Sequence, residues 1–164
     1  MTLQIVALAF DANEPAVLAP FWSGVLGREL IEEPDGGIVL LPNDDAEFRI
    51  EFYPTRAPKT GPNQMHLDLT SQSLEEQEAT VARALELGGR HLDVGQLPEE
   101  EHVVLADPEG NEFCVIEAGN NFLADTAFIG ALSSDGSQAV GYFWIAVSSS
   151  WSHTSGQPSA SLQK

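Results

Sequence analysis

A chain of 164 residues carries 25 Asp and Glu against 7 Lys and Arg, a formal net charge of -18. Like charges repel, so this balance argues against a nucleic-acid backbone or an anionic membrane as partner. Hydrophobic residues make up 43% of the chain, enough to build a core, and a lone cysteine, Cys114, permits no internal disulfide and suits a reducing compartment. No basic segment precedes the first apolar run, and no apolar run approaches the ~18 residues that span a bilayer. A cytoplasmic protein is expected.

Residues 3–10 are apolar apart from Gln4 and read as a buried strand. Asp11-Ala12-Asn13-Glu14-Pro15 is a helix-start signal, with Asn13 as candidate N-cap. The helix runs to Leu26, with Val17, Phe21 and Val25 at i, i+4 and i+8, and Gly27 ends it. Pro20 lies inside it and removes one backbone hydrogen bond. Strands follow at 29–33, 38–41 and 47–53; in the last, Phe48, Ile50 and Phe52 alternate with Glu47, Arg49 and Glu51.

A proline-rich loop at 54–63 precedes a repeat of this pattern. Residues 64–69 read as a strand holding His66-Leu67-Asp68-Leu69. Ser73 and Glu76 form a capping box, and Leu74, Val81 and Leu85 mark the buried face of the helix that Gly88-Gly89 closes. Strands at 91–94, 102–106 and 112–117 complete the set. The last two flank Asp107-Pro108-Glu109-Gly110-Asn111, in which Asp, Pro and Gly supply hairpin-turn chemistry. Gln4 and Gln64 open the two first strands, and Leu26-Gly27 and Leu87-Gly88 close the two helices, at an offset of about 60 residues. Residues 1–118 therefore read as two βαβββ units in tandem: an α+β fold whose sheets curl into a half-barrel around a concave pocket.

The tandem units, the segment Phe21-Trp22-Ser23-Gly24-Val25-Leu26-Gly27, the His-Leu-Asp-Leu strand and the hairpin Asp107-Pro108-Glu109-Gly110-Asn111-Glu112-Phe113 resemble the vicinal oxygen chelate superfamily. That group holds the glyoxalase, bleomycin-resistance and extradiol-dioxygenase proteins, and the nearest likeness is to the glyoxalase-like proteins common in actinobacteria. In metal-dependent members, the first and last strand of each unit each supply one ligand to a divalent ion. Carried over position by position, these places fall at Val6 or Ala7, at Glu51, at His66 and at Cys114. Val6 and Ala7 cannot ligate, and Cys114 stands where the enzymes have a glutamate. Glu117 has the opposite strand parity to Cys114 and faces the pocket only if the strand bulges.

The resemblance implies a pocket for a small organic molecule, based on His66, Glu51 and Cys114, without a complete metal site. The alternative it leaves open is a metal-dependent lyase, isomerase or dioxygenase. Its zinc, nickel, manganese or iron would be held by His66 and Glu51, with Cys114 or Glu117 as third ligand. A homodimer is expected, because half-barrel sheets with open edges associate.

The remaining candidates have plainer readings. His102 beside Glu99-Glu100-Glu101 reads as solvated surface, and His91 and His153 have no partner visible in sequence. Phe21 and Trp22 read as core, and Arg49 and Arg56 as surface cations within reach of a pocket rim. No phosphate-binding glycine loop or nucleophile motif occurs. Residues 119–144 read as the opening of a further βαβββ-like unit, with a strand at 128–132 and Phe143-Trp144 echoing Phe21-Trp22. Residues 145–164 form a Ser-rich, nearly uncharged tail that reads as flexible; truncation or a frameshift would explain the break, as would a native arm.

Overall fold

A computed structural model of the chain describes residues 5–44, 46–97, 99–121, 123, 125–137, 139 and 142. Residues 5–135 form one compact unit, described below. Of the other unit, residues 1–4 with 136–164, only Gly136, Ser137, Ala139 and Tyr142 are described. The expectations for Phe143-Trp144 and for the Ser-rich tail therefore lie outside the described residues.

The first half of the unit holds β1 (Ala7–Ala12), α1 (Pro15–Leu26), β2 (Leu30–Glu32), β3 (Ile38–Leu40) and β4 (Arg49–Pro54). The second holds β5 (Met65–Leu69), α2 (Leu74–Glu86), β6 (Arg90–His91), β7 (Val103–Ala106) and β8 (Glu112–Val115). The first sheet has the order β1-β4-β3-β2, with β1 and β4 parallel. The second repeats it as β5-β8-β7-β6, with β5 and β8 parallel. A parallel pair needs a long crossover, and the remaining pairs are antiparallel and joined locally. The two βαβββ units of a glyoxalase-like half-barrel are thus in place. A further strand, β9 (Ile129–Ser134), comes from beyond residue 118 and pairs antiparallel with the free edge of β5, so the second sheet has five strands.

The start of α1 departs from expectation. Glu14, not Asn13, occupies the N-cap, and its side chain makes no cap bond. The Asn13 side chain instead donates to the carbonyls of Thr55 and Ala57 at 3.1 and 2.9 Å. A residue from the second half of the same unit satisfies the helix entry: Glu109 accepts from the backbone N–H of Asn13 at 2.9 Å and of Glu14 at 2.6 Å. Pro20 is accommodated because it and Ala16, one turn earlier, are both exposed. The carbonyl left without its amide is on the watered side. Gly27, at φ 64, ends the helix in the left-handed conformation that glycine adopts without steric cost.

The α2 capping box forms in shifted register, its return bond reaching the backbone N–H of Gln72 and not that of the N-cap Ser73. Ser73 Oγ accepts from Glu76 N at 3.2 Å, and Glu76 Oε2 accepts from Gln72 N at 2.5 Å. Of the expected buried face, Val81 packs against the core, but the face is rotated away from the other two: Leu74 and Leu85 are 63% and 38% exposed, while Gln77 and Ala84 are buried. The rotation has a polar reason. Gln77 Nε2 donates to the carbonyls of Glu101 and Val115 at 3.0 and 3.2 Å, satisfying backbone acceptors under the helix.

One core joins both halves. Phe21 and Trp22 of α1 meet Phe113 of β8 edge-on, with ring centroids 6.0 and 4.9 Å apart, a favourable arrangement for aromatic quadrupoles. Strand alternation then sorts the faces. Ile50 and Phe52, Leu67 and Leu69, and Phe113 and Val115 enter the core. Their neighbours Arg49, Glu51 and Tyr53, His66 and Asp68, and Cys114 point from the opposite faces.

Candidate functional site

The parallel register of β5 and β8 places Asp68 directly beside Cys114. His66 lies two residues before Asp68, hence on the same face. One nitrogen, oxygen and sulfur atom of His66, Asp68 and Cys114 all lie within 4.8 Å of one another. Strand β9 completes the surround, since its register sets Ser133 opposite His66, and the Ser133 hydroxyl donates to Asp68 Oδ2.

Electrostatics follow from this packing. His66 Nε2 stands 3.3 Å from Asp68 Oδ1, with the two side chains 28% and 8% exposed. The hydrogen bond to Asp68, followed by that to Cys114, outweighs the desolvation that favours a neutral ring, and the His66 pKa is raised to about 10. At neutral pH the ring is therefore an imidazolium beside a nearly buried carboxylate.

Among the expected site residues, the structure brings His66 and Cys114 together. Glu51 is not part of their group. On β4 it lies between two same-face neighbours that occupy both its oxygens: Arg49 Nη2 is 3.1 Å from Oε1, and the Tyr53 hydroxyl donates to Oε2 at 2.8 Å. Accepting that bond holds the Tyr53 phenol above its ordinary value of 10.0. Glu117 lies past the end of β8, where its Oε1 accepts from Asn120 Nδ2 at 2.7 Å. Asp68 and Ser133 are the additions. Asp68 was visible in principle, because its i+2 spacing from His66 puts it on the same strand face; the Ser133 contact depends on a strand pairing that no local pattern announces.

The donor set suits a metal in kind. Imidazole, carboxylate and thiolate match the three-ligand zinc sites that keep a fourth position open. A hard cation such as magnesium or calcium would find too few oxygens. Without a metal, the same groups offer a cationic hydrogen-bond donor next to a thiol. Among the described residues, no helix is long and apolar enough to cross a membrane.

Comparison with known proteins defines the class first. The fold is that of the glyoxalase/bleomycin-resistance/dioxygenase superfamily. A glyoxalase-related enzyme from Fulvimarina pelagi superposes with a TM-score of 0.59 at 16% identity, covering 81% of this chain and 99% of that one. A glyoxalase/bleomycin resistance protein/dioxygenase family enzyme from Burkholderia phytofirmans PsJN gives 0.56 at 16% identity, covering 69% and 97%. A possible glyoxalase from Bacillus cereus gives 0.55 at 16% identity, covering 70% and 99%. At such identities the likeness concerns the fold. The chain belongs to the glyoxalase-like domain family, whose profile matches residues 7–116. No curated protein matches its sequence.

Proposed function

We propose that the protein binds a small organic molecule on the sheet face that carries His66, Asp68 and Cys114, using a protonated histidine and no metal as its polar anchor. The observation that carries this reading is the His66–Asp68 contact of 3.3 Å, which keeps the ring charged at neutral pH. An imidazolium attracts an anionic or carbonyl oxygen and repels a divalent cation. Glu51, engaged by Arg49 and Tyr53, supports the reading because a metal would have to win it from both. A charged donor at His66, with Arg49 and the Tyr53 hydroxyl on the face of β4 turned from the core, suits capture of a small polar or anionic organic ligand. The reading includes a homodimer: β1 is an edge strand, and Val6 just before it is 63% exposed.

The convergence of three donor atoms within 4.8 Å favours a second reading, a metal-dependent lyase, isomerase or dioxygenase. His66, Asp68 and Cys114 would then hold the ion, which when bound supplies Lewis-acid polarisation of a substrate oxygen. His66 and Cys114 would have to release protons to accept it.

Titration of the whole chain at pH 7 with a panel of small aromatic and aliphatic carboxylates, followed by NMR shifts of the His66 ring, tests the first reading. A saturating ligand whose affinity falls at least tenfold in His66→Gln is the expected result. Unchanged affinity in that variant, or binding only after zinc is added, overturns it.

A further inference from the structure

Because β5 and β8 are parallel, their carboxyl ends open at the same edge of the sheet. Beyond them, Thr70 and Ser71 leave one strand and Ile116 and Glu117 leave the other. With Asn120, Leu123 and Asp125 of the segment between β8 and β9 they line a cavity of about 240 Å³. None of its lining residues belongs to the His66–Asp68–Cys114 group.

Two polar atoms of this cavity's walls are buried and lack hydrogen-bond partners among the described residues: Ser71 Oγ and Glu117 Oε2. Ser71 is only 6% exposed. Folded proteins pair nearly all such atoms, so two orphans in one cavity point to a missing partner. Their neighbours are already committed. Glu117 Oε1 accepts from Asn120, and Thr70 Oγ1 donates to the carbonyl of Ala127 at 2.9 Å. Asp125 is a second acidic residue of the lining, and none of the described lining residues is Lys, Arg or His. Glu117 Oε2 can only accept, so its missing partner is a donor, whose natural charge beside two acidic residues is positive; the Ser71 hydroxyl can accept from the same donor.

Size and walls narrow the class. A water takes about 30 Å³ of liquid, so the space far exceeds one bare ion. Part of the wall is apolar, supplied by Ile116 and by Leu123, which is 8% exposed. We propose that this cavity binds a small aliphatic amine. Its ammonium group donates to Glu117 Oε2 and Ser71 Oγ, and its short carbon chain lies against Ile116 and Leu123. The proposal does not depend on the function assigned above to His66.

Calorimetry of the full chain with propylammonium chloride tests it, with 1-propanol as neutral isostere and calcium chloride as bare cation. The expected result is saturable one-to-one binding of propylammonium, weakened at least tenfold in Glu117→Gln and several-fold in Ser71→Ala, with no saturable binding of 1-propanol. Glu117→Gln keeps the side-chain shape while removing a buried charge; thermal stabilisation of the unaltered protein by propylammonium over 1-propanol gives a readout free of any variant. Equal binding of 1-propanol, undiminished binding in Glu117→Gln, no binding at all, or calcium binding in place of the amine each overturns the proposal.

Discussion

The indole N–H of Trp22 donates to Asp107 Oδ2 at 3.1 Å across 85 positions of sequence, and both residues are buried. Asp107 is 0% exposed and ties the closing hairpin of the second half to the helix of the first. Burial pushes its carboxyl group up, and donors from Asn111, Trp22 and Glu109 pull the other way. Asp107→Ala strands these donors in the core and should cost about 3 kcal/mol. Trp22→Phe removes one donor together with some packing and should cost less, about 1–2 kcal/mol. Urea midpoints of the two variants, at unchanged slope, check the order.

Glu109, two residues further along the same turn, holds the entry of α1 with both carboxylate oxygens. A carboxylate there also meets the positive end of the helix dipole. Glu109→Ala should lower stability by about 1 kcal/mol, and Glu109→Gln by less. Both losses should shrink in high salt, as thermal melts at low and high ionic strength would show.

Gln77 is the polar residue on the buried face of α2, and its amide reaches the carbonyls of Glu101 and Val115. Gln77→Leu leaves the buried Val115 acceptor unpaired and should cost about 1–3 kcal/mol despite the gain in hydrophobicity. Leu85→Gln, on the face the sequence pattern marked as buried, should cost under about 0.5 kcal/mol. Chemical denaturation of the two variants distinguishes the observed helix phase from the expected one.

His66 makes stability depend on pH in a defined direction. Its folded-state pKa, about 10, lies above the ordinary 6.5, so the folded protein binds the proton more tightly. The stabilisation is complete below 6.5 and is lost as pH rises toward 10. Denaturation midpoints measured from pH 6 to 10 should fall through this window, and the fall should be smaller in His66→Gln. A midpoint that rises through the window would show that Asp68 does not hold the ring charged.

Much of the fold was legible because it is written in local chemistry repeated twice. Gly27 at the end of α1, the Ser73–Glu76 box and the Asp107–Gly110 turn each specify a boundary through a backbone requirement, and each is found where expected. Alternation also placed Glu51 and Cys114 on the faces opposite the core. What stayed hidden depends on distant partners. Glu109 displaces Asn13 from the entry of α1, Gln77 sets the phase of α2 through carbonyls of other strands, and β9 finds β5 across a long connection. Asp68 shares the face of His66 by simple parity, but only the folded register shows it beside Cys114.

The most direct measurement is the metal content of the protein purified without chelator or added metal, set beside that of His66→Ala. A proton, not an ion, at His66 predicts no stoichiometric zinc, nickel, manganese or iron in either protein. One equivalent of such a metal per chain, lost in His66→Ala, would contradict the account and make the metal-dependent reading the correct one.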